Sequence, residues 1–277
     1  MDFLPRIPIN KWTDAGIEYL QFHWGEAFDS FSEFLKSGIT SLQDYFLIIP
    51  PALLVVIIGL LAWKFANKKV ALFSVIGLYL VYNVGLWDAT MQTLAMVISS
   101  VFLCSVVGIP LGILAAKKEN AHRIITPILD FMQTLPAFVY LLPAVTFFGL
   151  GVVPAVIATL IFAMPPVIRL TDLGIKQVPE ELVELGKSFG STFNQMLFKI
   201  ELPLARPTIM AGINQCIMLS LSMVVIAAMI GAKGLGGEVW RAIQRMEIGN
   251  GFEAGLAIVV IAIVLDRITQ SFGKSND

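Results

Sequence analysis

Long stretches without any charged side chain dominate this sequence and restrict what it can fold into. They occupy residues 45–63, 70–87, 89–116, 131–168 and 207–232. A helix that crosses the hydrocarbon core of a bilayer needs about 20 mainly apolar residues. The chain is 57% hydrophobic and only 14% charged, whereas soluble domains are about 25% charged. We therefore expect an all-α polytopic membrane protein, which excludes a soluble enzyme, a disordered scaffold and a disulfide-stapled secreted domain.

The number of spans follows from the lengths of these stretches. Residues 131–168 are too long for one span, and two glycines and a proline within 149–154 predict a hairpin of two helices. The last predicted span has a shorter uncharged stretch than the others, because only twelve uncharged residues lie between Glu253 and Asp266. We expect it to continue past Asp266 toward Phe272. The sequence thus predicts about seven transmembrane helices.

Orientation follows from the positions of Lys and Arg in the short loops. The loops at 64–69 and 117–123 together carry six basic residues and one acidic residue. The alternate loops, at Asp88 and at 149–154, carry no Lys or Arg. The basic loops should therefore face the cytoplasm, which places segment 169–206 and the C-terminus inside and the N-terminus outside.

The N-terminal tail, residues 1–45, has an apolar stripe with helical spacing. Its members step by three or four positions: Ile17, Leu20, Trp24, Phe28, Phe31, Leu35, Ile39 and Leu42. We expect an amphipathic helix that lies on the outer membrane surface or packs against the spans. A docking surface for an external partner is the alternative.

The spans offer no chemistry for ion coupling or catalysis. Proton and ion relays need titratable groups inside the bundle, and the first six predicted spans have none at mid-depth. His23 and His122 fall on opposite sides of the membrane, and Cys104 and Cys216 lack metal-ligand spacing. The sequence also has no phosphate-binding glycine loop followed by Lys and Ser or Thr. We expect a non-catalytic chain without a metal or cofactor, whose energy comes from a partner, and the net charge of −1 argues against nucleic acid.

The predicted cytoplasmic segment after the hairpin is too structured for a simple connector. A proline and two glutamates at 179–181 suit the start of a helix, and Gly190 suits its end. Thr192 and Gln195 can form the capping box of a second helix, which should end near 202–203. An apolar side of the first helix could fit a groove on another protein; it comprises Leu182, Leu185 and Phe189.

The spacing of this segment resembles the EAA loop of type I ABC importer permeases. That loop reads Glu-Ala-Ala, three residues, Gly, nine residues, then Ile, one residue and Leu-Pro. The matching positions here are Glu184, Leu185, Gly186, Gly190, Ile200, Leu202 and Pro203. The spacing agrees throughout, although Leu-Gly replaces Ala-Ala. The resemblance implies a type I ABC importer permease fold, in which this loop docks in a groove of a cytoplasmic ATPase.

Other segments resemble the glycine betaine/proline branch of these permeases. They are 132–143, 148–151, 165–175, 221–227 and 233–237, and the similarity extends over roughly 70–270. It implies a homodimeric pore in the plasma membrane of a prokaryote, two ATPase subunits that bind ATP and Mg²⁺, and an extracytoplasmic binding protein. The cargo would be a compatible solute that serves in osmoprotection.

The resemblance also divides the chain. Residues 1–45 would be the amphipathic tail, 46–87 two N-terminal transmembrane helices, and 88–270 the transmembrane core, which includes the coupling loop at 173–206.

Three aromatic residues are candidates for the translocation path: Phe138, Tyr140 and Phe147. An aromatic ring can attract a quaternary ammonium group through cation–π contact. The alternative is that all three are ordinary core or lipid-facing residues.

The sequence leaves other functions open. The permease could carry another small solute, such as choline, carnitine, proline, another amino acid or an anion. A different class is an osmotically gated channel that acts without partners. A membrane enzyme is a third class, against which the lack of paired catalytic groups argues.

Overall fold

Thirteen α-helices form nearly all of the described chain. The structure is a computed structural model that describes residues 8–273, and this range contains no strand. The helices are α1 Ile9–Ile48, α2 Pro51–Phe65, α3 Lys68–Asn83, α4 Trp87–Lys117, α5 Glu119–Thr134, α6 Leu141–Phe148, α7 Val152–Ala163, α8 Pro165–Lys176, α9 Glu180–Ser188, α10 Phe193–Met196, α11 Leu202–Ala228, α12 Leu235–Arg245 and α13 Ile248–Gly273. The predicted all-α class is confirmed. The first seven residues of the predicted tail and the last four of the chain lie outside the described range.

Four uninterrupted segments are long and apolar enough to cross a membrane. They are α4, the α7–α8 pair, the run from Phe193 to Ala228, and α13. Two bent helix pairs would each add one span if the pair crosses the membrane as a unit. The described residues therefore offer four to six spans, and the sequence predicted about seven. As predicted, the last helix continues past Asp266, whose carboxylate accepts a hydrogen bond from Asn214 of α11.

Prolines break two of the predicted spans, and α3 is too short to count as a third. The chain bends by 102° between α1 and α2 and by 107° between α5 and the turn that leads into α6. Ile49 and Leu135 both have extended backbone angles and both precede a proline, as the steric effect of the proline ring requires. The predicted first span is therefore broken at Pro50, and the first arm of the predicted hairpin is broken at Pro136. Helices α2 and α3 have only 15 and 16 residues.

The centre of the fold is the crossing of α4, α8 and α11. Gly112 of α4 lies against Thr171 and the carbonyl oxygen of Ile168, and Gly212 of α11 lies against the carbonyl oxygen of Pro166. Glycine at a helix crossing lets the two backbones approach closely, which is how helices gain packing energy where lipid removes the hydrophobic drive. This crossing fixes the direction of α4 relative to α8 and α11.

Helix α1 packs along the end of the fold at which α4 begins. Leu35 and Ile39 are buried, and the Gln21 side chain donates a hydrogen bond of 2.7 Å to the carbonyl oxygen of Thr146. The Phe28 ring lies 5.7 Å from that of Phe148. The apolar stripe seen in the sequence thus faces other helices of this chain only in part, because Leu20, Trp24 and Phe31 of the stripe are exposed.

The α4–α8 crossing generates a stability prediction. A Cβ atom at position 112 would lie 2.5 Å from the Thr171 Cβ and 2.7 Å from a backbone oxygen, so Gly112→Ala should destabilise the protein by about 1–3 kcal/mol. Gly255→Ala on α13 is the matched control, because a Cβ there meets nothing within 4 Å and alanine favours a helix by up to about 1 kcal/mol. Thermal unfolding in detergent measures both. Equal melting temperatures for the two variants would contradict the close crossing.

Candidate functional site

The segment from α9 to the start of α11 has a defined turn at its centre. Helix α9 ends in a Schellman arrangement, in which the Ser191 N–H donates to the Gly186 carbonyl at 3.0 Å and the Gly190 N–H donates to the Lys187 carbonyl at 2.9 Å. Gly190 has φ +72°, a conformation that glycine adopts without strain. The predicted end of the first helix at Gly190 is confirmed.

The second helix of this segment starts as predicted but does not end as predicted. Thr192 and Gln195 form the capping box. The prediction that the helix ends near Leu202 and Pro203 is wrong, because the helical run continues from Phe193 to Ala228. Pro203 has no N–H, so it cannot donate the hydrogen bond that closes a normal helical turn. The five residues before Leu202 form a π-helical turn, which lets the helix continue past this proline.

Gly186 holds the two helices of the segment together. It is the buried residue of α9, and a Cβ there would lie 2.7 Å from the Met196 Cε and 2.8 Å from the Ile200 Cδ1. A larger residue at the third position of the Glu-Leu-Gly triplet would require the ends of the Met196 and Ile200 side chains to shift. This packing turns the other side of α9 outward.

The outward side of this segment is an exposed apolar surface, which we call the coupling knob. It comprises Leu182, Leu185, Phe189, Phe193 and Phe198, and the Phe189 side chain is 81% exposed. Glu184 and Pro203 are exposed beside it, whereas Ile200 and Leu202 are half-buried. Exposed apolar patches of this kind mark interaction sites.

An ion pair anchors the segment to the far end of α4. Lys117, the last residue of α4, pairs with Glu201 of the π-helical turn, and Glu201 is only 3% exposed. The Lys117 ammonium also lies 5.8 Å from the centre of the Phe193 ring. Sequence reasoning assigned Lys117 only to a basic loop and missed both partners. The one signal for this pair in the sequence was Glu201 itself, an acidic residue between the apolar residues of Ile-Glu-Leu-Pro.

A second set of charges joins α5 to α8. The His122 ring nitrogen lies 2.9 Å from the Asp172 carboxylate, which also pairs with Lys176 at 2.8 Å. Arg169 pairs with Asp130. These groups bond to one another, and the described residues contain no cluster of His, Cys, Asp or Glu that could hold a metal ion.

The three aromatic candidates have separate environments. Phe138 is exposed. Tyr140 is buried, and its hydroxyl donates to the carbonyl oxygen of Met132. The Phe147 ring packs 4.9 Å from Phe28 of α1. The described part of the chain does not bring these three rings into one site.

The chain is similar to known transport proteins along most of its length. Residues 108–275 match the family described as binding-protein-dependent transport system inner membrane component. The glycine betaine transport system permease protein OpuAB of Bacillus subtilis is 54% identical over 98% of this chain and 96% of its own length. The glycine betaine/carnitine transport permease protein GbuB of Listeria monocytogenes is 48% identical over 99% of this chain and 98% of its own.

A solved structure is similar in fold. An inward-facing conformation of the MetNI methionine ABC transporter contains a chain that matches with a TM-score of 0.58 and 22% identity, over 68% of this chain and 92% of that one. At this identity the likeness concerns the fold alone. It confirms the predicted fold of a type I ABC importer permease.

The anchoring pair generates a further prediction. Lys117→Met leaves the buried Glu201 carboxylate without its partner, and breaking a buried pair costs about 3–5 kcal/mol. Arg123→Met is the control, because its pair with Glu119 is exposed, with 70% and 76% of the two side chains accessible, and such pairs contribute about 0–1 kcal/mol. Thermal unfolding and limited proteolysis of the coupling knob measure the loss. A Lys117→Met protein as stable and protease-resistant as Arg123→Met would refute the anchor.

Proposed function

Because the chain belongs to the family of binding-protein-dependent transport system inner membrane components, we propose that it is the permease subunit of an ATP-driven ABC importer for a compatible solute such as glycine betaine. The observation that carries the solute class is the match of relatives named for glycine betaine transport to nearly the whole chain. The protein is a multi-pass membrane protein, and uptake of such a solute serves osmoprotection.

The ATPase is a separate subunit in this proposal. Two copies bind ATP and Mg²⁺, and each receives the coupling knob of one permease chain. Leu182, Leu185 and Phe189 enter a groove of the ATPase, Glu184 lies at its rim, and Gly190 sets the turn. Ile200 precedes α11 and Leu202 and Pro203 begin it, so these residues continue the segment from the knob into that helix, while buried Gly186 keeps α9 in place. The exposure of the apolar side chains supports this assignment.

In this proposal the two ends of α4 lie on opposite sides of the membrane. The basic loops between α2 and α3 and between α4 and α5 lie in the cytoplasm, with the coupling knob and the C-terminus. The N-terminus and α1 lie outside, where a binding protein delivers the solute. The transmembrane core comprises residues 88–270, and it is preceded by the tail at 1–45 and the two helices within 46–87. This core forms the pore together with a second copy of the chain.

The apolar character of the spans fits passage of a zwitterion. Such a solute cannot cross hydrocarbon unaided, because an unpaired charge is costly there. A pore with few fixed charges lets it pass without trapping it, so specificity rests mainly on the binding protein and the driving force on the ATPase.

Phe189→Ser should weaken assembly with the ATPase and lower ATP-driven uptake about tenfold or more, because it removes the most exposed ring of the coupling knob. Phe252→Ser is the matched control: this residue is 72% exposed at the start of α13, away from the knob. Co-purification of the ATPase and uptake of labelled glycine betaine measure the effect. Equal recovery of the ATPase with both variants would contradict the docking assignment.

Uptake should require the whole system. Proteoliposomes with the permease, the ATPase, the binding protein and internal ATP should accumulate glycine betaine, and those with the permease alone should not. Uptake or ionic current by the chain alone would indicate a channel or a carrier instead and would overturn the proposed function.

A further inference from the structure

A cavity lies at the end of the fold opposite to the coupling knob. Its volume is about 330 Å³, near the lower limit of small-molecule sites, and α1, α4 and two turns line it. We call it the outer cavity. Its polar lining residues are Ser32, Lys36, Gln43, Gln92 and Lys233, and the turn at 148–154 closes one side. Between Gln92 and Lys117, α4 rises by about 38 Å, so this cavity is remote from the knob.

The outer cavity is electrically positive. Lys36 and Lys233 form no ion pair with any residue of the described range, and no Asp or Glu of that range contributes to the lining. Helix α7 begins at the cavity with Val152 and Val153, and no side chain caps its first N–H groups. The start of a helix carries a partial positive charge and free amide donors. Two ammonium groups and a helix start together favour an anionic group such as a carboxylate.

The remaining polar side chains of the lining are also free. Ser32, Gln43 and Gln92 have no hydrogen-bond partner among the side chains and backbone groups of residues 8–273. Three unpaired polar side chains around one cavity can bond a polar ligand without breaking any internal contact.

One wall of the outer cavity is aromatic. Phe148 lines it, and its ring is held 5.7 Å from the Phe28 ring and 6.2 Å from the Phe31 ring. The face of an aromatic ring attracts a quaternary ammonium group within about 6 Å. A positive end and an aromatic wall in one small cavity match a solute that carries both a carboxylate and a quaternary ammonium.

We propose that the outer cavity is an entry site for a zwitterionic solute, in which Lys36, Lys233 and the first amides of α7 bind the carboxylate and Phe148 contacts the quaternary ammonium. This inference rests on the proposed function and extends it, because it assigns a cargo-binding role to α1. Helix α1 supplies Ser32, Lys36 and Gln43, and it lies outside the residues that match the family model. Both lysines are exposed, so water screens their attraction and the site can release its cargo.

The test uses the assembled transporter with its binding protein in proteoliposomes. We expect the double variant Lys36→Gln with Lys233→Gln to lower the uptake of labelled glycine betaine about tenfold. This factor corresponds to a loss of about 1.4 kcal/mol of binding free energy. ATP hydrolysis stimulated by the loaded binding protein should persist. Lys68→Gln with Lys69→Gln is the matched control, since it removes two exposed lysines elsewhere. Phe148→Leu should lower uptake more than Phe148→Tyr does.

A second measurement does not depend on transport. Leu150 also lines the outer cavity and is exposed, and the proposal gives its side chain no binding role. The Leu150→Cys variant should react with a maleimide, and glycine betaine should slow that reaction while sodium chloride at equal concentration should not. The natural cysteines, Cys104 and Cys216, are buried and give little background.

Three results would overturn the entry site. The first is uptake by the double lysine variant equal to that of the control. The second is absence of protection of the thiol in the Leu150→Cys variant. The third is loss of stimulation by the binding protein in the double lysine variant, which would make the lysines a docking contact. If the wild-type system carries no glycine betaine at all, the proposed function fails instead.

Discussion

Hydrocarbon offers no hydrogen bonds, so the peptide groups that face lipid must be paired within the protein, and helices do this within one segment. That constraint makes the chain all-helical and moves its polar chemistry to the helix ends. The hydrocarbon also removes the hydrophobic driving force for packing one helix against another. Close packing at small residues therefore holds the crossings together. Gly112 and Gly212 bring α4, α8 and α11 together at backbone distance. The direction of α4, and with it the separation of the two functional ends, depends on this crossing.

The two ends of α4 carry different chemistry. At one end Lys117 pairs with the buried Glu201 and anchors the coupling knob, whose apolar side chains stay exposed for a partner. At the other end Gln92 helps to line a positive cavity with an aromatic wall. The continuous helix α4 connects the two ends, and it places the proposed docking surface for the ATPase and the proposed entry site for the solute at opposite ends of the fold.

Features set by neighbouring residues could be predicted from the sequence. The capping box at Thr192 and the glycine turn at Gly190 depend only on local chemistry, and both are present. The passage of the helix through Pro203 could not be predicted, because the π-helical turn that permits it depends on packing against α9 and α4. The pair of Lys117 with Glu201 joins positions far apart in the sequence. The role of the three aromatic candidates stays a prediction; Phe148 rather than Phe147 lines the cavity, since neighbours on a helix face different directions.

The central claim is that the coupling knob and α1 lie on opposite sides of the membrane, each facing its own partner. The single variants Phe189→Cys and Phe34→Cys, both at exposed positions, test it with a membrane-impermeant maleimide on intact cells. The account predicts that the Phe34→Cys variant reacts in intact cells and that the Phe189→Cys variant reacts only after the membrane is opened. Labelling of the Phe189→Cys variant from outside, or equal labelling of both variants, would contradict it.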